Sequence, residues 1–94
     1  MREKTIERKL VEAVGKMGGM APKLVSPGLD GMPDRLVLMP GGKMAFVELK
    51  APGRKPRPVQ RVRIRQLVAM GYGVYVIDSV DQIGEVLDAI ESDL

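Results

Sequence analysis

Near the N-terminus, Ile6, Leu10, Val14 and Met17 recur at helical spacing, while Arg2, Lys9, Glu12 and Lys16 fall away from that stripe. The pattern predicts an amphipathic helix over Glu3–Met17, ended by Gly18-Gly19. A short extended piece, Ala21–Val25, leads into the turn-rich Ser26-Pro27-Gly28-Leu29-Asp30-Gly31. Asp34–Met39 and Lys43–Lys50 then read as strands, joined by Pro40-Gly41-Gly42 into an antiparallel hairpin. Ala51–Pro58 is a loop of proline, glycine and basic residues. A second helix is predicted from about Pro58, well placed at a helix start, to Met70, with Gly71 closing it. The apolar run Gly73–Ile77 reads as a buried strand. Ser79-Val80-Asp81-Gln82 has the form of a capping box, and Ile83, Val86, Leu87 and Ile90 give the last helix its apolar stripe.

The order is helix, two or three antiparallel strands, helix, strand, helix. Helices on both sides of a hairpin imply an α/β (α+β) fold, with a mixed sheet covered on its faces by helices. No repeat, low-complexity tract or interior boundary divides the chain, so residues 1–94 are expected to form one domain. A chain of this length has little surface to bury, which favours association with a second copy.

Composition narrows the chemistry. There is no cysteine and no histidine, so thiolate zinc sites, disulfides and histidine general bases are all excluded. Acid–base or metal chemistry must rest on carboxylates, lysine or tyrosine. No apolar run approaches the ~20 residues of a membrane span and the N-terminus is charged, so an intracellular, cytoplasmic protein is expected. The net charge of +3 is unevenly spread. Between Glu48 and Asp78 there is no acidic residue, whereas Lys50, Arg54, Lys55, Arg57, Arg61, Arg63 and Arg65 all lie there. Beyond Arg65 every charged residue is acidic. A single basic band on a nearly neutral chain suits a polyanion such as nucleic acid, although a solvated charged surface produces the same pattern.

The candidate chemistry centres on Phe46-Val47-Glu48-Leu49-Lys50. Alternation on a strand turns Glu48 and Lys50 to one face and Leu49 to the other. If the hairpin closes at Pro40–Lys43, Asp34 comes near the strand end that carries them. Two carboxylates and a lysine at one sheet edge suit a hard cation such as Mg²⁺ or Mn²⁺, and phosphodiester hydrolysis. A surface ion pair between Glu48 and Lys50 is the bland alternative. Glu7 within the apolar stripe of the first helix, and Gln60 on the face shared by Ile64 and Leu67, add weight to a site, since core-facing polar residues need a partner. Glu3 lies on the same side as Glu7, one turn earlier.

Taken in order, Glu7-Arg8-Lys9-Leu10-Val11, Gly31-Met32-Pro33-Asp34-Arg35, Phe46-Val47-Glu48-Leu49-Lys50 and Gln60 resemble the PD-(D/E)XK nuclease superfamily. Within it they resemble the VRR-NUC (virus-type replication-repair nuclease) family, in its compact stand-alone phage and bacterial form. The match runs from Glu7 to Ile77. The resemblance implies a restriction-endonuclease-like α-β-β-β-α-β core, followed here by a C-terminal helix. It also implies DNA cleavage dependent on Mg²⁺ or Mn²⁺. Asp34, Glu48 and the carbonyl of Leu49 would be metal ligands, Lys50 the catalytic lysine, Gln60 a residue orienting water or substrate, and Glu7 an auxiliary acid, with Glu3 its competitor for that role. Homodimers acting on branched DNA such as Holliday junctions are further expectations. A non-catalytic DNA-binding or assembly module that retains the fold is the alternative.

For DNA contact the expected residues are Arg54, Lys55 and Arg57 in the loop, Arg61 and Arg65 on the second helix, and Lys23 and Ser26 ahead of the acidic motif. Such contacts hold the backbone and carry no sequence information. With only Phe46, Tyr72 and Tyr75 aromatic, a stacking platform for single strands is poorly supported.

Overall fold

The computed structural model describes residues 2–92. Its elements are α1 (Glu3–Lys16), β1 (Arg35–Met39), β2 (Lys43–Leu49), α2 (Pro58–Ala69), β3 (Val74–Ile77) and α3 (Asp81–Ser92). β1 and β2 form the antiparallel hairpin with Met39 opposite Lys43, and Gly41 and Gly42 both take the positive φ that its turn requires. β3 joins the other side of β2 in parallel, pairing Phe46 with Val74 and Leu49 with Ile77, so the sheet order is β1-β2-β3.

One face of this sheet carries the main core. Val37, Met39, Ala45, Val47, Leu49 and Ile77 pack against Ile6, Leu10 and Val14 of α1 and against Ile83, Val86, Leu87 and Ile90 of α3. Val11, the apolar neighbour of Leu10 in α1, is 38% exposed. The buried stripe is therefore narrow, and Glu7 stands at its margin. α2 serves the opposite face, where Gln60 reaches Glu48 and Leu67 is buried apart from the main core. The start of α3 is capped as its sequence suggests, with Gln82 Oε1 accepting from the Ser79 and Asp78 backbone N–H groups.

Two expectations are modified. The first extended piece makes only two isolated bridges, Met20 with Leu38 and Lys23 with Arg35. Pro22 lies between them. Its carbonyl accepts from Leu36 N–H, but it has no N–H to return, so the ladder is broken at that step. β3 is an edge strand rather than a buried one. Ile77 is buried, Val74 and Tyr75 are half-buried and Val76 is exposed. An unbroken apolar run does not distinguish these cases, because it records what each face meets and not whether a neighbour covers the outer edge.

Candidate active site

The hairpin ladder ends with Arg35 opposite Val47; Asp34 is the next residue outward, and counting one further step would set it opposite Glu48. The two carboxylates are near enough for the Asp34 charge to act on Glu48. Asp34 Oδ2 accepts the Leu49 backbone N–H at 3.0 Å, which fixes its side chain across the mouth of the hairpin.

Glu48 is 1% exposed. Its Oε2 receives Gln60 Nε2 at 2.6 Å and Lys50 Nζ at 3.1 Å. Its Oε1 is buried with no hydrogen-bond partner. Burial pushes the Glu48 carboxyl above the ordinary carboxylate range. Lys50 opposes that shift and the neighbouring Asp34 charge reinforces it, while Gln60 pulls it back slightly. An unpartnered buried carboxylate oxygen costs the full loss of its hydration, so this atom is built for a ligand.

Gln60 has both ends of its amide engaged. Its Oε1 accepts the Arg57 N–H at 2.8 Å, satisfying a free donor at the start of α2, and its Nε2 is thereby aimed at Glu48. As the side chains stand, Gln60 orients Glu48, with one Nε2 hydrogen left over for a further acceptor. Pro58 at the first turn leaves this arrangement intact, since the N–H it lacks would have had no helical partner.

Glu7 stands apart from this cluster. Its Oε2 pairs with the Arg35 guanidinium at 3.0 Å, and Arg35 Nη1 also donates to the Ala21 carbonyl at 2.6 Å. Arg35 thus ties α1, β1 and the bridged segment together. The sequence shows Arg35 beside Asp34 but gives it no role. The available signal was strand alternation, which turns Arg35 to the face opposite Asp34, toward an α1 carboxylate in need of a partner.

Two clefts adjoin the acidic centre. One, of about 560 Å³, is lined by Lys50, Arg54, Lys55 and Arg57 together with Glu3. The other, of about 330 Å³, is lined by Asp34, Glu7, Lys4 and Lys23, again with Glu3. Glu3 therefore borders both clefts, whereas Glu7 borders one and is held by Arg35. The expected DNA contacts divide accordingly. Arg54, Lys55, Arg57 and Lys23 line the clefts, and Arg61 and Arg65 are exposed on α2. Ser26 lines neither cleft and accepts a turn hydrogen bond from Leu29. Arg63 is held by the Asp30 carbonyl and Gln66. Among the described residues no group of three or more acidic, histidine or cysteine side chains could hold a metal ion. The centre offers two carboxylates, a donor set that suits a hard cation retaining several waters.

A mixed sheet that brings an aspartate beside a Glu-x-Lys strand end, with a helix seating a glutamine on that glutamate, is the framework of a PD-(D/E)XK-type nuclease domain. The chain belongs to the VRR-NUC family within that class. It is 51% identical over 90 residues to p44, named as a candidate nuclease, of Acyrthosiphon pisum secondary endosymbiont phage 1, covering 96% of each chain. It also superposes on a solved VRR-NUC domain with a TM-score of 0.86 and 29% identity, over 94% of this chain and 97% of that one. No family model matches the chain.

Proposed function

We propose that the protein is an endonuclease that hydrolyses DNA phosphodiester bonds with Mg²⁺ or Mn²⁺. The observation that carries this reading is Glu48 Oε1, a buried carboxylate oxygen without a partner, beside Asp34, which accepts the N–H of the next residue, Leu49. Asp34, Glu48 and the Leu49 carbonyl are the groups suited to hold the ion. When bound, it supplies Lewis-acid charge for the phosphate and lowers the pKa of a water. Lys50 is the amine in position to contact a phosphate oxygen or steady the attacking water. Gln60 holds Glu48 in place, and Glu7, with Glu3 beside it, supplies auxiliary negative charge at the neighbouring cleft.

Arg54, Lys55 and Arg57 bring unspecific phosphate contacts to the edge of the centre, and Arg61 and Arg65 extend the positive surface. Phe46 and Tyr72 pack edge-to-face on each other, with ring centroids 5.8 Å apart, rather than offering open faces to bases. That supports recognition of duplex DNA by shape and charge, and branched DNA is the substrate proposed. A homodimer, with one centre per copy, suits the two strands of such a junction. No helix among the described residues is long and apolar enough to cross a membrane, which is compatible with the cytoplasmic location proposed for a DNA-cleaving protein.

The test is incubation with a four-way junction in Mn²⁺ or Mg²⁺, with chelator as control. Cleavage is expected from the parent protein and lost in Asp34→Ala. Lys50→Ala should lose cleavage yet still bind the junction, because several other cations share the electrostatic load. Metal-independent cleavage, or cleavage retained by Lys50→Ala, would contradict the assignment.

A further inference from the structure

The two clefts are neighbours that share Glu3 in their linings, one bordered by Lys50 and the other by Asp34. Cations occur in both linings, in the second beside the carboxylates of Glu3, Glu7 and Asp34. The first cleft, the near arm, holds Arg54, Lys55 and Arg57; the second, the far arm, holds Lys4 and Lys23. Lys4 and Lys23 are exposed, and neither takes part in an ion pair among the described residues. By contrast Arg35, a short distance away, is fully committed to Glu7 and the Ala21 carbonyl. The far arm therefore presents two unpaired amines in the cleft that Asp34 also lines, one from α1 and one from the bridged segment.

We infer that Lys4 and Lys23 hold the DNA backbone on the side of the scissile phosphate away from the basic loop, so that the cleaved strand runs through the site and is gripped on both sides of the cut. This rests on the endonuclease reading and extends it. It makes the substrate a strand continuous through the centre rather than one entered from an end. Each arm contributes phosphate contacts whose loss is read separately, because the two sets of residues share no member except Glu3.

The experiment pairs Lys4→Ala/Lys23→Ala with Arg54→Ala/Lys55→Ala. All four side chains are exposed, so both variants keep the core intact. Binding of a fluorescent duplex is measured without added metal in an Asp34→Ala background, across a range of salt. Loss of two phosphate contacts lowers the slope of log affinity against log salt by about 1.8. Cleavage is then compared on substrates whose strand stops shortly before or shortly after the cut. The parent should favour a strand extended on both sides, Lys4→Ala/Lys23→Ala should lose that preference on one side, and Arg54→Ala/Lys55→Ala on the other. An unchanged salt slope in Lys4→Ala/Lys23→Ala overturns the proposal, as does a preference retained on both sides. If the parent cleaves nothing, the endonuclease reading fails and the salt slope alone decides whether the far arm grips DNA.

Discussion

The Glu48 carboxylate is held by Lys50 and Gln60 through one oxygen while the other meets no donor. Burial is the largest influence on it and raises its proton affinity in the folded state above that in the unfolded chain. The sign of the linkage follows. The contribution of Glu48 to stability is fully present below the ordinary value of 4.5 and is lost as pH rises through the folded-state value. An ionised Glu48 without metal is thus a cost that the fold carries for its chemistry. Glu48→Gln keeps the shape and removes the charge. With metal chelated, this variant should melt above the parent at neutral pH, the gap closing as pH falls through the raised folded-state value and gone below about 4.5, and it should cleave nothing. Thermal melts across pH with chelator check this, and a lower melting temperature for the variant at neutral pH would refute it. At this scale the sequence was partly legible. Glu48 and Lys50 follow from strand alternation, and Asp34 follows from counting back around the turn. The unpartnered oxygen and the Arg35–Glu7 pair were not, because they depend on how α1 and α2 close over the two faces.

Between elements, the loop ahead of Asp34 is set by its contact with α2. Gly31 has φ +85°, and a Cβ placed there would lie 2.8 Å from the Val59 carbonyl oxygen. Arg63 adds a second tie by donating to the Asp30 carbonyl at 2.7 Å. The start of α2 thus touches both acidic residues of the centre, Asp34 through this loop and Glu48 through Gln60. Gly31→Ala meets left-handed strain of about 1–3 kcal/mol, besides the backbone contact. For a domain of this size each 1 kcal/mol shifts Tm by roughly 4–8 °C. The variant should therefore melt at least several degrees lower and lose cleavage more than Gly28→Ala, whose added Cβ would meet nothing. Equal losses in the two variants would rule out the contact with α2 as the cause. α1, α3 and the hairpin were readable because their apolar periods match one buried face each, whereas α2, with only Gln60 and Leu67 buried, was readable from Pro58 at its start and Gly71 beyond its end. The segment Ala21–Val25 was readable as extended but not as a broken ladder, because that depends on Pro22 falling at a position where the partner strand requires a donor.

For the molecule as a whole, the outer edge of β3 is the least finished feature. No other strand among the described residues pairs with it, and Val74-Tyr75-Val76-Ile77 carries neither charge nor proline to discourage pairing. Exposed Val68, Met70 and Tyr72 lead into this strand from α2. Such an edge on a free monomer is a hazard, and in the homodimer proposed above, pairing β3 with β3 about a two-fold axis would remove it. A standard interface hides about 800 Å² per partner, roughly one-seventh of the 5825 Å² surface here, so the strand alone is insufficient and the neighbouring apolar residues must join it. The basic clefts do not include β3, so pairing there leaves both acidic centres open. Sedimentation of the parent at micromolar concentration should show a dimer. Val76→Lys, which sets a charge at an exposed position on that edge, should yield a folded monomer that still cleaves linear duplex but resolves a four-way junction poorly. A parent that sediments as a monomer, or a Val76→Lys variant that remains dimeric, would place the association elsewhere or remove it.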